Sequence, residues 1–278
     1  MAEVTPPAAD DPTPRELLEV AREAAAAAAE LALSWRRRAD ELDVEEKTGP
    51  GDLVSQADRQ VEDAVRAVIG RRRSHDAVLG EEAGRTSGDS DVVWVVDPID
   101  GTLSYLYGLP DWTVSIAAAR ASSSKLLAGV VTFPVLDRVV EACHGGGTWS
   151  NGGRVRVRNT DDLSRALVSI NVGLGHRRAR AGRMVDALVP RVRHVRRGGS
   201  AAGALAEVAM GAADAAWSPG TKPWDVAAGV ILVQEAGGVV GDLFGPTPGT
   251  WPRSGDVLCS TPGVWEPLRD LLAEAYAD

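Results

Sequence analysis

The sequence predicts an α+β first half and an α/β second half, with no internal repeat. Two helical patterns and then a series of apolar, strand-like runs make up the first half. From about residue 165 strand-like and helical patterns alternate, which is typical of α/β layering. The chain has 278 residues, of which 44% are hydrophobic, so it can bury a large core and is not disordered as a whole.

Two helices are expected before the first strands. Thr13 and Glu16 have the spacing of a capping box and Pro14 occupies the first helical position, which predicts a helix to about Arg38. Its buried stripe would consist of Leu17, Leu18, Ala21, Ala25, Ala28, Leu31 and Ala32. A Gly-rich loop with a short strand follows at 47–54, and the second helix should run from about 56 to 70.

Short apolar runs bounded by glycine and aspartate predict the strands. In the first half they lie at 77–80, 92–97, 113–120, 126–133 and 138–144, and Asn151-Gly152 is typical of a hairpin turn. In the second half strands are expected at 166–172, 213–217 and 239–243, and helices at about 178–189, from Ser200, and at 223–236. We expect a disordered tail over 1–12, an α+β subdomain over 13–164 and an α/β subdomain over 165–278.

Composition limits the classes of function. The net charge of −9 gives no electrostatic footprint for nucleic acid or for anionic lipid, so neither is expected as a partner. An anionic substrate would need a positive charge between itself and the chain. Cys143 and Cys259 lie far apart and form no disulfide framework, and no signal peptide or membrane-length apolar run is evident, which favours the cytoplasm.

The segment 97–102 carries the strongest chemical signal. Asp97 and Asp100 leave the end of a buried strand together, and such carboxylates repel each other unless a cation lies between them. Hard oxygen ligands suit Mg²⁺, and the carbonyl of Ile99 could be a further ligand. Gly101 and Thr102 would open a helix, whose free N–H groups could bind phosphate oxygens. Taken alone, the segment could also be a surface turn.

Other acidic residues favour the metal-site interpretation. Glu81 and Glu82 follow an apolar strand, and Asp225 lies in the first turn of an apolar helix. A solvated loop would explain the glutamates, and a favourable charge at a helix N-terminus would explain Asp225. Together with 97–102, however, three segments each place a carboxylate at the end of an apolar element.

Two further segments are candidates for the site. Lys47, Asp52 and Asp58 punctuate the Gly-rich loop, where Asp58 could instead be a helix cap and Lys47 a solvated surface residue. The second segment, 199–201, is another helix start, which could cap its helix only or could also bind substrate oxygens.

In this order the motifs resemble the inositol monophosphatase family, a branch of the Mg²⁺-dependent, lithium-sensitive sugar phosphatases with a layered αβαβα fold. The resemblance covers about residues 15–275. Its motifs here are Lys47 with Asp52-Leu53-Val54-Ser55-Gln56-Ala57-Asp58, Gly80-Glu81-Glu82, WVVDPIDGT at 94–102, Gly199-Ser200-Ala201 and WDVAAGVILVQEAGG at 224–238.

The resemblance implies two or three Mg²⁺ ions at the site. One would be held by Glu81, Asp97 and the carbonyl of Ile99. A second would be held by Asp97, Asp100 and Asp225, with Asp97 bridging. Glu82 would help a third, weaker ion or its waters, with loop support from Lys47.

The resemblance also implies the reacting and substrate-binding groups. Thr102 and Asp58 would form a dyad that activates the attacking water together with Glu81. The phosphate would be contacted by Ile99, Asp100, Gly101 and Thr102. The alcohol side would be lined by Gly199, Ser200, Ala201, Ser218 and Asp225.

One position departs from the family pattern. Many members carry a glutamate that binds substrate hydroxyls seven residues before the aspartate of the Trp-Asp motif, and here Ser218 takes that place. Serine is shorter and uncharged, which weakens the case for inositol 1-phosphate. Trp217 and Lys222 nearby suggest a different alcohol moiety.

The sequence thus predicts a cytoplasmic, homodimeric, lithium-sensitive Mg²⁺-dependent phosphomonoesterase that acts on a small polyol or sugar phosphate. Alternatives in the same superfamily are phosphatases of histidinol phosphate, of 3′-phosphoadenosine 5′-phosphate and of fructose 1,6-bisphosphate. An alternative of another class is a catalytically silent binding or regulatory protein. The completeness of the expected ligand set favours an enzyme.

Overall fold

The computed structural model describes residues 11–46, 53–173 and 177–277. Its α-helices are α1 Pro14–Arg36, α2 Gln56–Arg72, α3 Thr102–Leu106, α4 Arg177–Leu188, α5 Ala201–Ala209, α6 Pro223–Glu235 and α7 Trp265–Ala277. Within these three ranges, no helix has both the length and the apolar character needed to cross a membrane.

The strands form a short pair and two larger sheets. The pair is β1 Val44–Glu46 with β2 Leu53–Ser55. The first large sheet contains β3 Ala77–Gly80, β4 Gly84–Arg85, β5 Val92–Asp100, β6 Thr113–Arg120, β7 Leu126–Phe133, β8 Arg138–Cys143, β9 Gly147–Ser150 and β10 Gly153–Val155. The second contains β11 Leu167–Ile170, β12 His194–Arg197, β13 Ala215–Pro219, β14 Val239–Asp242, β15 Gly245–Pro246 and β16 Asp256–Ser260.

The first sheet has the strand order β10-β9-β8-β7-β6-β5-β3-β4 and is antiparallel except for the pair β3 and β5. Successive side chains of a strand point to opposite faces, so each apolar run supplies two cores. On β5, Trp94 and Val96 belong to the core shared with α1 and α2. Val93 and Val95 belong to the core shared with α5 and α6.

The second sheet has the order β12-β11-β13-β16-β14-β15, with β12, β11 and β13 parallel. Ala216 and Cys259 on its inner face belong to the α5 and α6 core, whereas Trp217 and Leu258 belong to a third core with α4 and α7. The layers are therefore helices, first sheet, α5 and α6, second sheet, and helices again. This order confirms the αβαβα architecture that the family resemblance implied.

Sequence motifs that predict where helices and strands begin or end agree with the structure at several positions. Thr13 and Glu16 form the expected capping box at the start of α1. Asn151 and Gly152 form the turn between β9 and β10 with φ values of 45° and 78°, a left-handed conformation that suits these two residue types. The expected disordered tail falls mostly on 1–10, outside the described residues, but Asp11 accepts hydrogen bonds of 2.5 and 2.7 Å from Arg120.

The division into subdomains at 164 and 165 remains a prediction. The first sheet ends at Val155 and the second begins at Leu167, close to that boundary. Helix α6 of the second half nevertheless packs into the core that contains Val95 of β5, so the two halves share buried surface.

Candidate active site

A cavity of about 250 Å³ lies between the two large sheets. The carboxyl ends of β3 and β5 lie on one side, and those of β11 and β13 lie on the other. The starts of α5 and α6 complete the wall. Of the residues expected from the sequence, those that line it are Glu81, Asp97, Ile99, Asp100, Gly101, Thr102, Gly199, Ala201, Ser218 and Asp225.

Three carboxylates from three elements converge in this cavity. Glu81, Asp97 and Asp225 each place one oxygen within 4.8 Å of the other two. The parallel pairing of β3 with β5 explains part of this convergence, because the Glu81 N–H donates to the carbonyl of Val96 at 3.2 Å. Asp225 is held by the backbone N–H of Lys222, which donates to its Oδ2 at 2.7 Å.

Burial and nearby negative charge disfavour the charged forms of the two aspartates in this cluster. Asp97 is 1% exposed, and burial raises its pKa well above the ordinary value, with further contributions from the charges of Glu81 and Asp100. Burial likewise raises the pKa of Asp225 well above its usual range, followed by the charge of Asp100. A divalent cation among these oxygens would remove the repulsion, and an all-oxygen donor set is the type that Mg²⁺ prefers.

Asp100 lines the same cavity but stands outside the three-oxygen set. Its Oδ2 accepts hydrogen bonds from Ser200 Oγ at 2.5 Å and from the Ala202 N–H at 2.6 Å. Burial nevertheless raises its pKa to about 6, because those hydrogen bonds only partly offset the desolvation. Ser200 is therefore a positioning residue that orients Asp100 from the start of α5.

The hydroxyl of Ser200 takes part in several hydrogen bonds at once. It accepts from the Gly203 N–H at 2.7 Å and lies 2.8 Å from Thr113 Oγ1. Because its single proton goes to Asp100, Thr113 must donate to Ser200. This buried relay explains why the residue at the helix start has a hydroxyl rather than an apolar side chain.

Thr102 and Asp58 are brought together across two elements. Thr102 Oγ1 lies 3.5 Å from Asp58 Oδ1 and 3.2 Å from the carbonyl of Ile99. The other carboxylate oxygen of Asp58 accepts from the N–H and the hydroxyl of Ser55 at 2.8 and 2.6 Å. Asp58 is thus part of the capping box of α2 and also a partner for Thr102. The cap interpretation is confirmed, and a role of the pair in activating water remains a prediction.

Two glycines allow the backbone loops at the site to approach each other. Gly101 has φ of 93°, and a β-carbon there would lie 3.1 Å from the carbonyl carbon of Gly199. A β-carbon on Gly199 would lie 2.0 Å from Ser104 Oγ. The expected helix after Gly101 is present as α3, with only five residues.

Several expected site residues are not among those that line the cavity in the described part of the chain. Lys47 and Asp52 are outside the described residues. Glu82 belongs neither to the cavity lining nor to the three-oxygen set. Trp217 is fully buried in the third core and Lys222 is exposed outside the lining, so neither contacts the alcohol side as the sequence suggested. Alternation along β13 explains this placement, because Trp217 and Ser218 point to opposite faces.

Sequence reasoning missed three polar residues of the cavity wall. Asn171 follows β11 and donates to Ser218 Oγ at 3.0 Å, and Arg178 and Arg197 line the cavity from α4 and β12. It also missed Glu62, which is 1% exposed and accepts from the backbone of Glu82 and Ala83 at 2.8 and 3.0 Å. Parallel strand ends could have indicated Asn171, but no sequence signal separates these arginines from the other surface arginines.

The fold and the site define a class: a layered αβαβα protein whose acidic cluster, in the cavity between its sheets, could hold divalent metal. A family model described as "Inositol monophosphatase family" matches residues 13–277. The chain belongs to the inositol monophosphatase family.

Curated relatives and solved structures agree with this assignment. An inositol-1-monophosphatase of Mesorhizobium japonicum is 41% identical over 71% of this chain and 74% of that protein. The Nus factor SuhB of Pseudomonas aeruginosa is 37% identical over 82% of this chain and 86% of that protein. The crystal structure of the extragenic suppressor protein SuhB from Bartonella henselae superposes with a TM-score of 0.87 at 31% identity, covering 92% of this chain and 98% of that one.

Proposed function

We propose that this protein is a Mg²⁺-dependent phosphomonoesterase that hydrolyses a small polyol or sugar phosphate. The observation that carries the proposal is the convergence of Glu81, Asp97 and Asp225 in one cavity, with ligand oxygens within 4.8 Å of one another. An anionic ester would be repelled by such a cluster in a chain of net charge −9, so the cluster fits a phosphatase only with bound cations.

The donor set fits magnesium. Glu81, Asp97 and Asp225 would hold it, with the carbonyl of Ile99 and the carboxylate of Asp100 as the further oxygens that line the cavity. When bound, Mg²⁺ would supply Lewis-acid stabilisation of phosphoryl charge and would lower the pKa of water. The number of ions, two or three, belongs to the proposal, as does the role of Glu82 in a weaker site.

The protein's own groups would handle the proton. Hydrolysis joins a water oxygen to phosphorus and breaks the bond from phosphorus to the ester oxygen. One proton of the water would pass toward Glu81 and the Thr102 hydroxyl, whose neighbour Asp58 accepts at 3.5 Å. That proton would go on to the departing ester oxygen to give the alcohol, and the second hydrogen of the water would remain on the released phosphate. Gly101 and Thr102 would contact the phosphate oxygens.

The alcohol would lie against the opposite wall. Gly199, Ala201 and Ser218 line it, and Asn171 and Ser218 offer neutral hydrogen-bonding groups there. A volume of about 250 Å³ accommodates a small polyol or sugar. Inhibition by lithium, a homodimeric state and a cytoplasmic location are part of the same proposal.

The test is phosphate release from inositol, sugar, histidinol and nucleotide monophosphates, with Mg²⁺ or with EDTA. Asp97→Asn should lower the rate by at least about a hundredfold, because it removes the most buried carboxylate of the cluster. Asp63→Asn, an exposed aspartate on α2, is the matched control and should retain activity. Full activity of Asp97→Asn would refute the metal assignment.

A binding or regulatory role is the second candidate, because a relative with 37% identity is named a Nus factor. It predicts no Mg²⁺-dependent turnover across the whole substrate panel. Turnover with any member of the panel would instead support the enzyme.

A further inference from the structure

The wall of the cavity opposite the carboxylates carries positive charge. Arg178 on α4 and Arg197 at the end of β12 both line it. Across the parts of the chain that the structure describes, neither guanidinium has a carboxylate within 4.0 Å or any other polar partner. Two unpaired arginines in one cavity of an acidic chain indicate a site for an anion.

Strand pairing places Arg197 one residue before the level of Asn171 and Ser218, the neutral groups of the alcohol side. Ile170 on β11 pairs with Arg197 on one side and with Trp217 on the other, so β11 and β12 end at the same level and β13 continues for two more residues. Asn171 and Ser218 are the next residues of β11 and β13. Side chains of residues in register lie on one face of a sheet, so Arg197 shares the face of Ile170 and Trp217. Helix α4, which carries Arg178, packs on that same face, and both arginines line the cavity at the strand ends.

The neighbouring arginines have other contacts. Arg177 covers the loop backbone, since a β-carbon on Gly220 would lie 2.7 Å from Arg177 Nη1. Arg196 precedes Arg197 on β12 and therefore points to the other face of the sheet. There it acts on Glu207, whose pKa is raised by burial and is lowered only in part by the charge of Arg196. Arg178 and Arg197 thus differ from them in facing the cavity.

We propose that Arg178 and Arg197 form a second anion subsite, so that the preferred substrate carries a second phosphate or a carboxylate on its alcohol moiety. This inference rests on the proposed phosphatase function and names its substrate class. An alcohol with hydroxyls alone would leave both guanidinium groups with water, whereas a phosphate or carboxylate matches their paired N–H groups. The two walls would then bind the two ends of one substrate.

The experiment compares kcat/KM within two pairs of esters. Fructose 1-phosphate and fructose 1,6-bisphosphate differ by a phosphate, and glycerol 3-phosphate and 3-phosphoglycerate differ by a carboxylate in place of a hydroxymethyl group. The protein should prefer the doubly anionic member of one pair by about tenfold, and the favoured pair identifies the anion. The double variant Arg178→Gln/Arg197→Gln should abolish that preference, and Arg196→Gln, the matched loss of charge on the same strand, should keep it.

Two outcomes overturn the subsite: no preference in either pair, or a preference that persists in the double variant. Absence of Mg²⁺-dependent turnover with these four esters and with the whole panel of monophosphates would instead refute the proposed function. In that case calorimetric titration of the same pairs with Ca²⁺ present still tests the subsite. The doubly anionic ester should bind about tenfold more tightly to the unmodified protein and not to the double variant, and equal affinities would refute the subsite.

Discussion

Residues 199 and 104 approach each other so closely that the loop before α5 has room only for glycine. A β-carbon on Gly199 would lie 2.0 Å from Ser104 Oγ and 2.7 Å from Ser104 Cβ, whereas one on Gly198 would meet no heavy atom within 4 Å. The Gly199 N–H also donates to Asp111 Oδ2 at 2.8 Å, which fixes the loop on the other side. The next residue, Ser200, orients Asp100. The position of a cavity carboxylate therefore depends on the absence of a side chain at residue 199.

Gly199→Ala should destabilise the protein by about 1–3 kcal/mol, because an inserted methyl group forces the backbone or Ser104 to move. It should also lower phosphate release, since movement of the loop shifts Ser200 and with it Asp100. Urea denaturation and initial rates measure the two effects. Gly198→Ala is the control and should change neither by much. If Gly199→Ala were as stable and active as Gly198→Ala, the close approach of residues 199 and 104 would matter for neither stability nor activity.

The acidic residues of the site could be predicted from the sequence because short motifs carry them. Asp97 and Asp100 stand three residues apart at a strand end, and Glu81 directly follows another strand. The arginines of the opposite wall could not be predicted in this way. Arg197 differs from Arg196 only in the face of β12 that it occupies, and that face is set by the pairing with β11.

Helices α6 and α4 each contain a glycine, and the space around the two glycines differs. Gly229 faces α5, and a β-carbon on it would lie 2.5 Å from Leu205 Cβ. Gly182 on α4 would place its β-carbon in open space, with no heavy atom within 4 Å. Replacing glycine by alanine should therefore destabilise the protein at residue 229 and stabilise it at residue 182.

Gly229→Ala should lower the free energy of unfolding by about 1–3 kcal/mol, since α6 is packed between the first sheet and α5. Gly182→Ala should raise it by about 0.5–1 kcal/mol, because alanine restricts the unfolded chain and favours the helix. Guanidinium denaturation of both variants, compared with the unmodified chain, measures the difference. A stabilised Gly229→Ala would contradict the packing of α5 against α6.

Elements with strong apolar patterns could be predicted, and those without them could not. The runs at 113–120 and 126–133 are β6 and β7 within the same bounds, because both are buried except for the half-buried Arg120 at the end of β6. Strand β12 reads His-Val-Arg-Arg at an exposed sheet edge, and no alternation marks it. Strand β16 and helix α7 were also not predicted, although Leu258 and Leu268 anchor them in the third core.

At the scale of the whole molecule, the two sheets face each other across α5 and α6, and the cavity opens where their strand ends meet. The predicted segments did not include that arrangement, because periodicity assigns a strand without saying which sheet it joins. The layer order came from the family resemblance alone. Likewise, the meeting of Asp225 with Asp97 depends on α6 packing against β5.

The convergence has a thermodynamic consequence for the whole chain. The carboxylates at 81, 97 and 225, of which Asp97 is buried and the other two are half-buried, repel one another and oppose folding. Any cation that binds them only in the folded state shifts the equilibrium toward that state. At a free Mg²⁺ concentration of about 100 times Kd, the stabilisation should be about 2.7 kcal/mol. For a chain of this size that corresponds to a rise in Tm of about 5 °C.

Thermal unfolding with EDTA, with Mg²⁺, and with KCl at equal ionic strength measures this stabilisation, because KCl reproduces the screening without the coordination. Asp97→Asn should give a Tm in EDTA at or above that of the unmodified chain, since it removes a buried charge, and should show a much smaller response to Mg²⁺. The unmodified chain should therefore have the higher Tm in Mg²⁺ but not in EDTA. This difference between the two buffers distinguishes a metal site from ordinary surface electrostatics. Equal shifts with KCl and Mg²⁺, or an unchanged Mg²⁺ response in Asp97→Asn, would show that these carboxylates converge for a reason other than metal binding.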